Sequence, residues 1–114
     1  MDIQRINPRE WNCNAAVFGD LVFCSGMVAD DKSLDMKGQT AQVLKKIDAV
    51  LAQAGSSKSR ILSATVYMQD ATLKDAMNEA WMAWVDRGNL PTRTAVGADL
   101  TPGTMVEITV CATK

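Results

Sequence analysis

The chain has no histidine among its 114 residues. That absence removes Ser-His-Asp and Cys-His nucleophile pairs and every His-containing zinc site. Cysteine is scarce. Cys13, Cys24 and Cys111 are odd in number and show no CxxC spacing. Neither a disulfide framework nor a metal site is therefore expected. An excess of one charge is missing too, with 12 Lys and Arg against 13 Asp and Glu. A net charge of -1 argues against a nucleic-acid partner, which usually selects a basic surface. No apolar run reaches the ~20 residues that span a bilayer. The opening "MDIQRINPREW" lacks the apolar centre of a signal peptide. There is no GxxxxGK[ST] and no GxGxxG, so nothing calls for nucleotide phosphates. These absences lead us to expect a cytoplasmic protein with reduced thiols and no membrane partner. Chemistry is left to Arg, Lys, carboxylates, hydroxyls, thiols and the backbone.

What is present reads as one domain over residues 1–114. "AAVFGDLVFCSGMV" has apolar runs on both sides of Gly19-Asp20, the pattern of a hairpin. From about Gln39 to Ala54, Val43, Leu44, Ile47, Val50 and Leu51 repeat on one helical face, and Gly55 suits the C-terminal cap. "SRILSATVYMQD" reads as a strand. Its alternation sets Leu62, Ala64, Val66 and Met68 on one face and Ser63, Thr65, Tyr67 and Gln69 on the other. A second helix is expected from about Leu73 to Asp86, ended by Gly88, with Trp81 and Trp84 on its apolar stripe as core. Two strands follow. In the last, Val106, Ile108 and Val110 share one side, and Glu107, Thr109 and Cys111 the other.

The order β-β-β-α-β-α-β-β gives two helices to about six strands. Both are expected on one face, making an α/β (α+β) two-layer sandwich. The uncovered face then needs a partner, from which we infer a closed homo-oligomer. Two charges interrupt the final strands: Arg93 in "LPTRTAV" and Glu107 in "MVEITV". A guanidinium is a permanently charged donor fork that matches a carboxylate bidentately. A carboxylate can position a water and take its proton. Together they suggest the polar part of a small-molecule pocket. A structural ion pair, at a subunit contact for instance, is the alternative. Cys111 shares a face with Glu107, as a cleft contact or as packing. Lys45 and Lys46 read as solvated helix charges.

The segments "VFCSGMV", "QTAQVLKKIDAVLAQAG", "ILSATVYMQD", "AMNEAWMAW", "LPTRTAV" and "MVEITVCA" occur in an order and spacing that resemble the Rid, or YjgF-like, family of reactive-intermediate deaminases, in particular its YoaB-like branch. The likeness runs from about Ile6 to Ala112. It implies a chorismate-mutase-like fold and a homotrimer with clefts between subunits. It also implies cofactor-free hydrolysis of reactive enamines and imines, such as 2-aminoacrylate, to 2-keto acids and ammonia. By resemblance, Arg93 holds the substrate carboxylate and Glu107 orients water. Ser25 and Gly26 line the cleft, the alternative being a turn that merely needs Gly. Asn78 matches a family asparagine in the second helix, as a cleft ligand or as a solvated residue beside the helix core. A non-catalytic trimer that binds small carboxylates or a protein partner is the alternative. Three departures touch the pocket. "REWNCNA" stands where the family often has a tyrosine, "SGM" replaces "SGQ", and the loop from Met27 to Gln39 is short. Tyr67, the only tyrosine, is not the equivalent of the missing one. The changes favour a bulkier or more apolar imine.

Overall fold

A computed structural model describes residues 1–114. Its strands are β1 (Ile3–Ile6), β2 (Ala15–Phe18), β3 (Leu21–Cys24), β4 (Met27–Val28), β5 (Ile61–Met68), β6 (Thr92–Gly97) and β7 (Val106–Thr113). Its helices are α1 (Met36–Gln53) and α2 (Lys74–Trp84). All strands join one mixed sheet in the order β1-β2-β3-β7-β5-β6, with β4 also on β7. Only β5 and β6 run parallel, as the intervening α2 requires. Both helices bury their apolar stripes on one face of the sheet in a single core. The molecule is only 19 Å through its thinnest axis, the depth of two layers.

Helix α1 is longer than its periodicity suggests. It begins three residues early because the Asp35 carboxylate accepts the Gly38 N–H at 2.8 Å, capping the first turn. Val43, Leu44, Ile47, Val50 and Leu51 are all buried as expected. The helix ends in a Schellman turn. Gly55 takes φ +80°, and the Ser56 N–H reaches back to the Leu51 carbonyl at 2.8 Å. Helix α2 is shorter than expected. Val85 is already extended, and the chain leaves the helix before Gly88.

One facing assignment is corrected. A register shift between Ile61 and Ser63 places Ile61 in the core and leaves Leu62 about half exposed. From Ser63 onward the expected alternation holds: Ala64, Val66 and Met68 are buried under the helices. The same is true of Val106, Ile108 and Val110 on β7.

The opposite face of the sheet has no covering layer. It carries Thr65, Tyr67, Glu107, Thr109 and Cys111 near its middle. Toward β1 it exposes Phe23, Leu21, Phe18 and Ile3, each at least 39% accessible. No helix is long and apolar enough to cross a membrane.

Candidate functional site

Strand β6 is parallel to β5, and its register sets Arg93 beside Ala64. Arg93 therefore points to the helix side, at the sheet's outer edge. Its guanidinium lies 5.0 Å from the ring centre of Trp81 on α2. Stacking on the π face compensates part of the lost hydration. The only polar atom of the chain that it meets is Sδ of Met77, at 3.8 Å. Both ion pairs of the fold, Lys37–Glu79 and Lys46–Asp30, lie elsewhere. Partial burial lowers the Arg93 pKa from its ordinary value. An arginine starts so high that it stays charged. Arg93 thus has no carboxylate of its own and forms one wall of a cleft of about 380 Å³ with Asn78, Trp81, Met82, Leu90 and Pro91. Pro91 fixes the approach to β6, so the cation enters the cleft from a rigid strand rather than a loop.

Glu107 is set differently. Strand β7 pairs it with Tyr67 on one side and Val28 on the other. Strands β3 and β4 both pair with β7 but are broken apart at Ser25 and Gly26. The carboxylate occupies this break. A Cβ on Gly26 would overlap Oε2 of Glu107, so the approach depends on glycine. No side chain or backbone group of the fold bonds the Glu107 carboxylate. With Gly26, Tyr67, Asp99 and Thr109 it lines a cavity of about 410 Å³ on the uncovered face.

A single chain does not bring Arg93 and Glu107 together. Their β5 neighbours are Ala64 and Tyr67, which lie on opposite faces. Strand β5 also separates the two strands. The structural ion pair is absent within the chain for the same reason.

The remaining candidates divide. Asn78 lines the Arg93 cleft, and its side chain makes no hydrogen bond within the chain. Ser25 is held by structure: its N–H donates to the Asn14 carbonyl at 2.9 Å and its hydroxyl to the Cys13 carbonyl at 2.5 Å. Cys111 is four residues along β7 from Glu107, roughly 13 Å at strand rise, and faces Ser63 and Phe23 instead of the cavity. Trp81 is buried as expected. Trp84 is half-buried and ties the helices together through its indole N–H to Asp48, 2.9 Å. Lys46 is not a free helix charge, because it anchors Val28 and Asp30 of the preceding loop. No three Cys, Asp or Glu side chains converge as a metal would require. Sequence pattern alone does not mark Tyr67, yet it stands directly across from Glu107. Both residues fall on the semi-polar side of their strands, and only the pairing register was needed to join them.

Residues 3–114 match the family described as Endoribonuclease L-PSP. A RutC family protein from Haemophilus ducreyi is 40% identical over 111 residues, 96% of this chain and 95% of that one. The RutC family protein YoaB of Escherichia coli (strain K12) is 39% identical over 113 residues, 98% of each chain. A crystal structure of a YjgF family member from Neisseria meningitidis superposes with a TM-score of 0.97 at 38% identity, covering 100% of this chain and 96% of that one. With the same α+β sheet, the same length and this level of identity across the whole domain, the chain belongs to the Rid family, also called RutC, YjgF and L-PSP.

Proposed function

We propose that the protein hydrolyses small, reactive 2-imino or enamino acids to 2-keto acids and ammonia. The observation that carries this reading is Arg93: a half-buried guanidinium, stacked on Trp81, with no carboxylate partner in its own chain. A fixed, desolvated donor fork of this kind favours a ligand that brings its own carboxylate. Beside that carboxylate, a 2-imino acid presents the electrophilic C=N carbon. A water adds its oxygen to the carbon and gives a proton to Glu107. The nitrogen takes a proton as the water adds, giving a carbinolamine. It then takes a second proton, the C–N bond breaks, the hydroxyl gives up its proton as the keto group forms, and ammonia leaves.

Because Arg93 and Glu107 face opposite sides of one sheet, a site using both needs two copies of the chain. The exposed Phe18, Leu21 and Phe23 on the uncovered face support such an assembly, since a patch of this kind favours burial against another subunit. We take the assembly to be the homotrimer that the family resemblance implies, with Arg93 of one copy reaching the Glu107 face of the next. Endoribonuclease chemistry, the activity in the name of the matched family, has less support. The chain has no histidine and a net charge of -1 for a polyanionic substrate.

The test is keto-acid and ammonia release from imines generated by an amino-acid oxidase, with wild type and Arg93→Ala compared. The reading expects a loss of roughly 100-fold or more in kcat/KM for the variant, the scale of a lost charge-assisted clamp. Equal rates would remove it.

A further inference from the structure

Imine hydrolysis needs two complementary groups near the reacting carbon. One accepts a proton from water, and the other donates to the departing nitrogen. An ionised Glu107 can do only the first. The cavity around Glu107 offers few candidates for the second. The Thr109 hydroxyl is engaged, donating to the Cys24 carbonyl at 2.8 Å. Asp99 is another acceptor when ionised. The Ser25 hydroxyl donates to the Cys13 carbonyl. The chain has no histidine, and no lysine lines this cavity. Among the side chains that this copy gives to the cavity, that leaves the Tyr67 phenol. It lines the cavity and makes no hydrogen bond within the chain.

Position supports the same choice. Tyr67 and Glu107 are direct cross-strand partners of an antiparallel pair. Side chains so placed rise from the same face with Cβ atoms about 5 Å apart. Strand β5 is central and flanked by β7 and β6, so the phenol is mounted on rigid backbone. Thr65 and Thr109, the next pair along, are small and leave the ring room above the sheet.

We infer that Tyr67 is a catalytic residue of this chain, the hydrogen-bond and proton donor to the imine nitrogen, acting opposite Glu107 across the β5–β7 pair. It would supply a phenol from the sheet in a chain whose early segment, "REWNCNA", has none. The balance is simple. The phenol proton passes to nitrogen as water adds, and the proton taken by Glu107 returns to the phenolate through solvent. The exchange recurs as the C–N bond breaks: the phenol protonates the departing nitrogen while Glu107 takes the carbinolamine hydroxyl proton as the keto group forms. Nothing is oxidised or reduced.

This inference rests on the imine-hydrolase reading, and one experiment separates the two. Steady-state hydrolysis of oxidase-generated imines is measured for wild type, Tyr67→Phe and Arg93→Ala. The Phe variant keeps the ring and loses only an unbonded hydroxyl, so its thermal midpoint should match wild type. A kcat at least fivefold lower for Tyr67→Phe, with KM within twofold, is the expected result; general-acid contributions often reach about 100-fold. A smaller effect, or one confined to KM, overturns the role of Tyr67 while wild-type turnover and its loss in Arg93→Ala keep the hydrolase reading. Absence of wild-type turnover overturns both.

Discussion

Arg93 and Glu107 stand on opposite faces of the same sheet, with β5 between their strands. A side chain cannot pass through a hydrogen-bonded sheet, so the proposed hydrolase reading has the two serve one ligand across a subunit boundary. The geometry of the single chain converts a question about catalysis into one about assembly.

Subunit mixing tests this directly. Arg93→Ala and Glu107→Gln homo-oligomers should each be inactive. When the two are unfolded together and refolded, activity should return. Random association pairs an intact Arg93 with an intact Glu107 in roughly a quarter of the inter-subunit sites of a closed ring. Turnover of the mixture is the measurement. No recovery would mean that both groups act from one chain or that one of them does not act.

Gly26→Ala should act on Glu107 without touching it in sequence. The added methyl group overlaps Oε2 and crowds Cδ and Cγ, at 3.2 and 3.3 Å. The carboxyl lies at the end of a flexible chain and will swing away. Gly26 is exposed and does not need a positive φ, so the fold should keep its stability. A displacement of about 1 Å costs roughly 100-fold when a catalytic group must be aligned. Kinetics alongside a urea unfolding curve would read the two effects separately. An Ala variant with full activity would show that the carboxylate position is unimportant.

Much of this architecture could be read from residue order. The apolar positions of α1 and the alternation of β7 mark the helix side of each element, because burial period and residue type agree there. The start of α1 was hidden: Gly38 looks like a loop residue until Asp35 is seen to cap its N–H. Alternation alone misplaces Leu62, because the shift at Ile61/Ser63 arises from pairing with β7, a contact distant in sequence. The same limit applied to the site. Alternation shows that Glu107 and Tyr67 each lie on a semi-polar side, but it does not show that they pair. Nor does it show which face Arg93 takes, since that depends on how α2 returns the chain to a parallel strand. Local pattern reveals the parity within a strand, and long-range register sets the parity between strands.

Gln39 should prove to be the main polar clamp behind the cavity wall. It is fully buried in α1. Its amide donates to the carbonyls of Leu34 and Gly103 at 3.1 and 3.0 Å, and its oxygen accepts the Met105 N–H at 3.0 Å. These bonds join the loop before α1 to the segment before β7 that carries Asp99 and Leu100. Gln39→Ala leaves several backbone groups without partners. At 1–3 kcal/mol for an unsatisfied buried group, the loss should be about 3 kcal/mol. Urea unfolding would show a lower midpoint with the slope unchanged. A shift under about 0.5 kcal/mol, the range of ordinary surface substitutions, would mean that water replaces the amide freely.

Cys24 should impose a pH limit on stability. The thiol is buried beneath the helices, and burial, with a smaller contribution from Cys111, pushes its pKa from 9.0 up to about 11. The sign follows from proton counting. Between those values the unfolded chain gives up the thiol proton while the native state keeps it, so the unfolded state binds fewer protons. Stability must then fall as pH rises from about 9 to about 11. At 1.36 kcal/mol per unit the full loss is at most about 3 kcal/mol, less whatever solvent screening of the partly buried thiol removes. Lysine and tyrosine titration overlaps this window, so the comparison must be internal. Urea midpoints for wild type and Cys24→Ala, measured from about pH 8 to about pH 11, isolate the thiol. The variant starts lower because a packed sulfur is gone, and its curve should fall less steeply, converging on that of wild type at the alkaline end. Two parallel curves would show that the native thiol ionises as readily as the unfolded one, through solvent reaching the space between β3 and the helices.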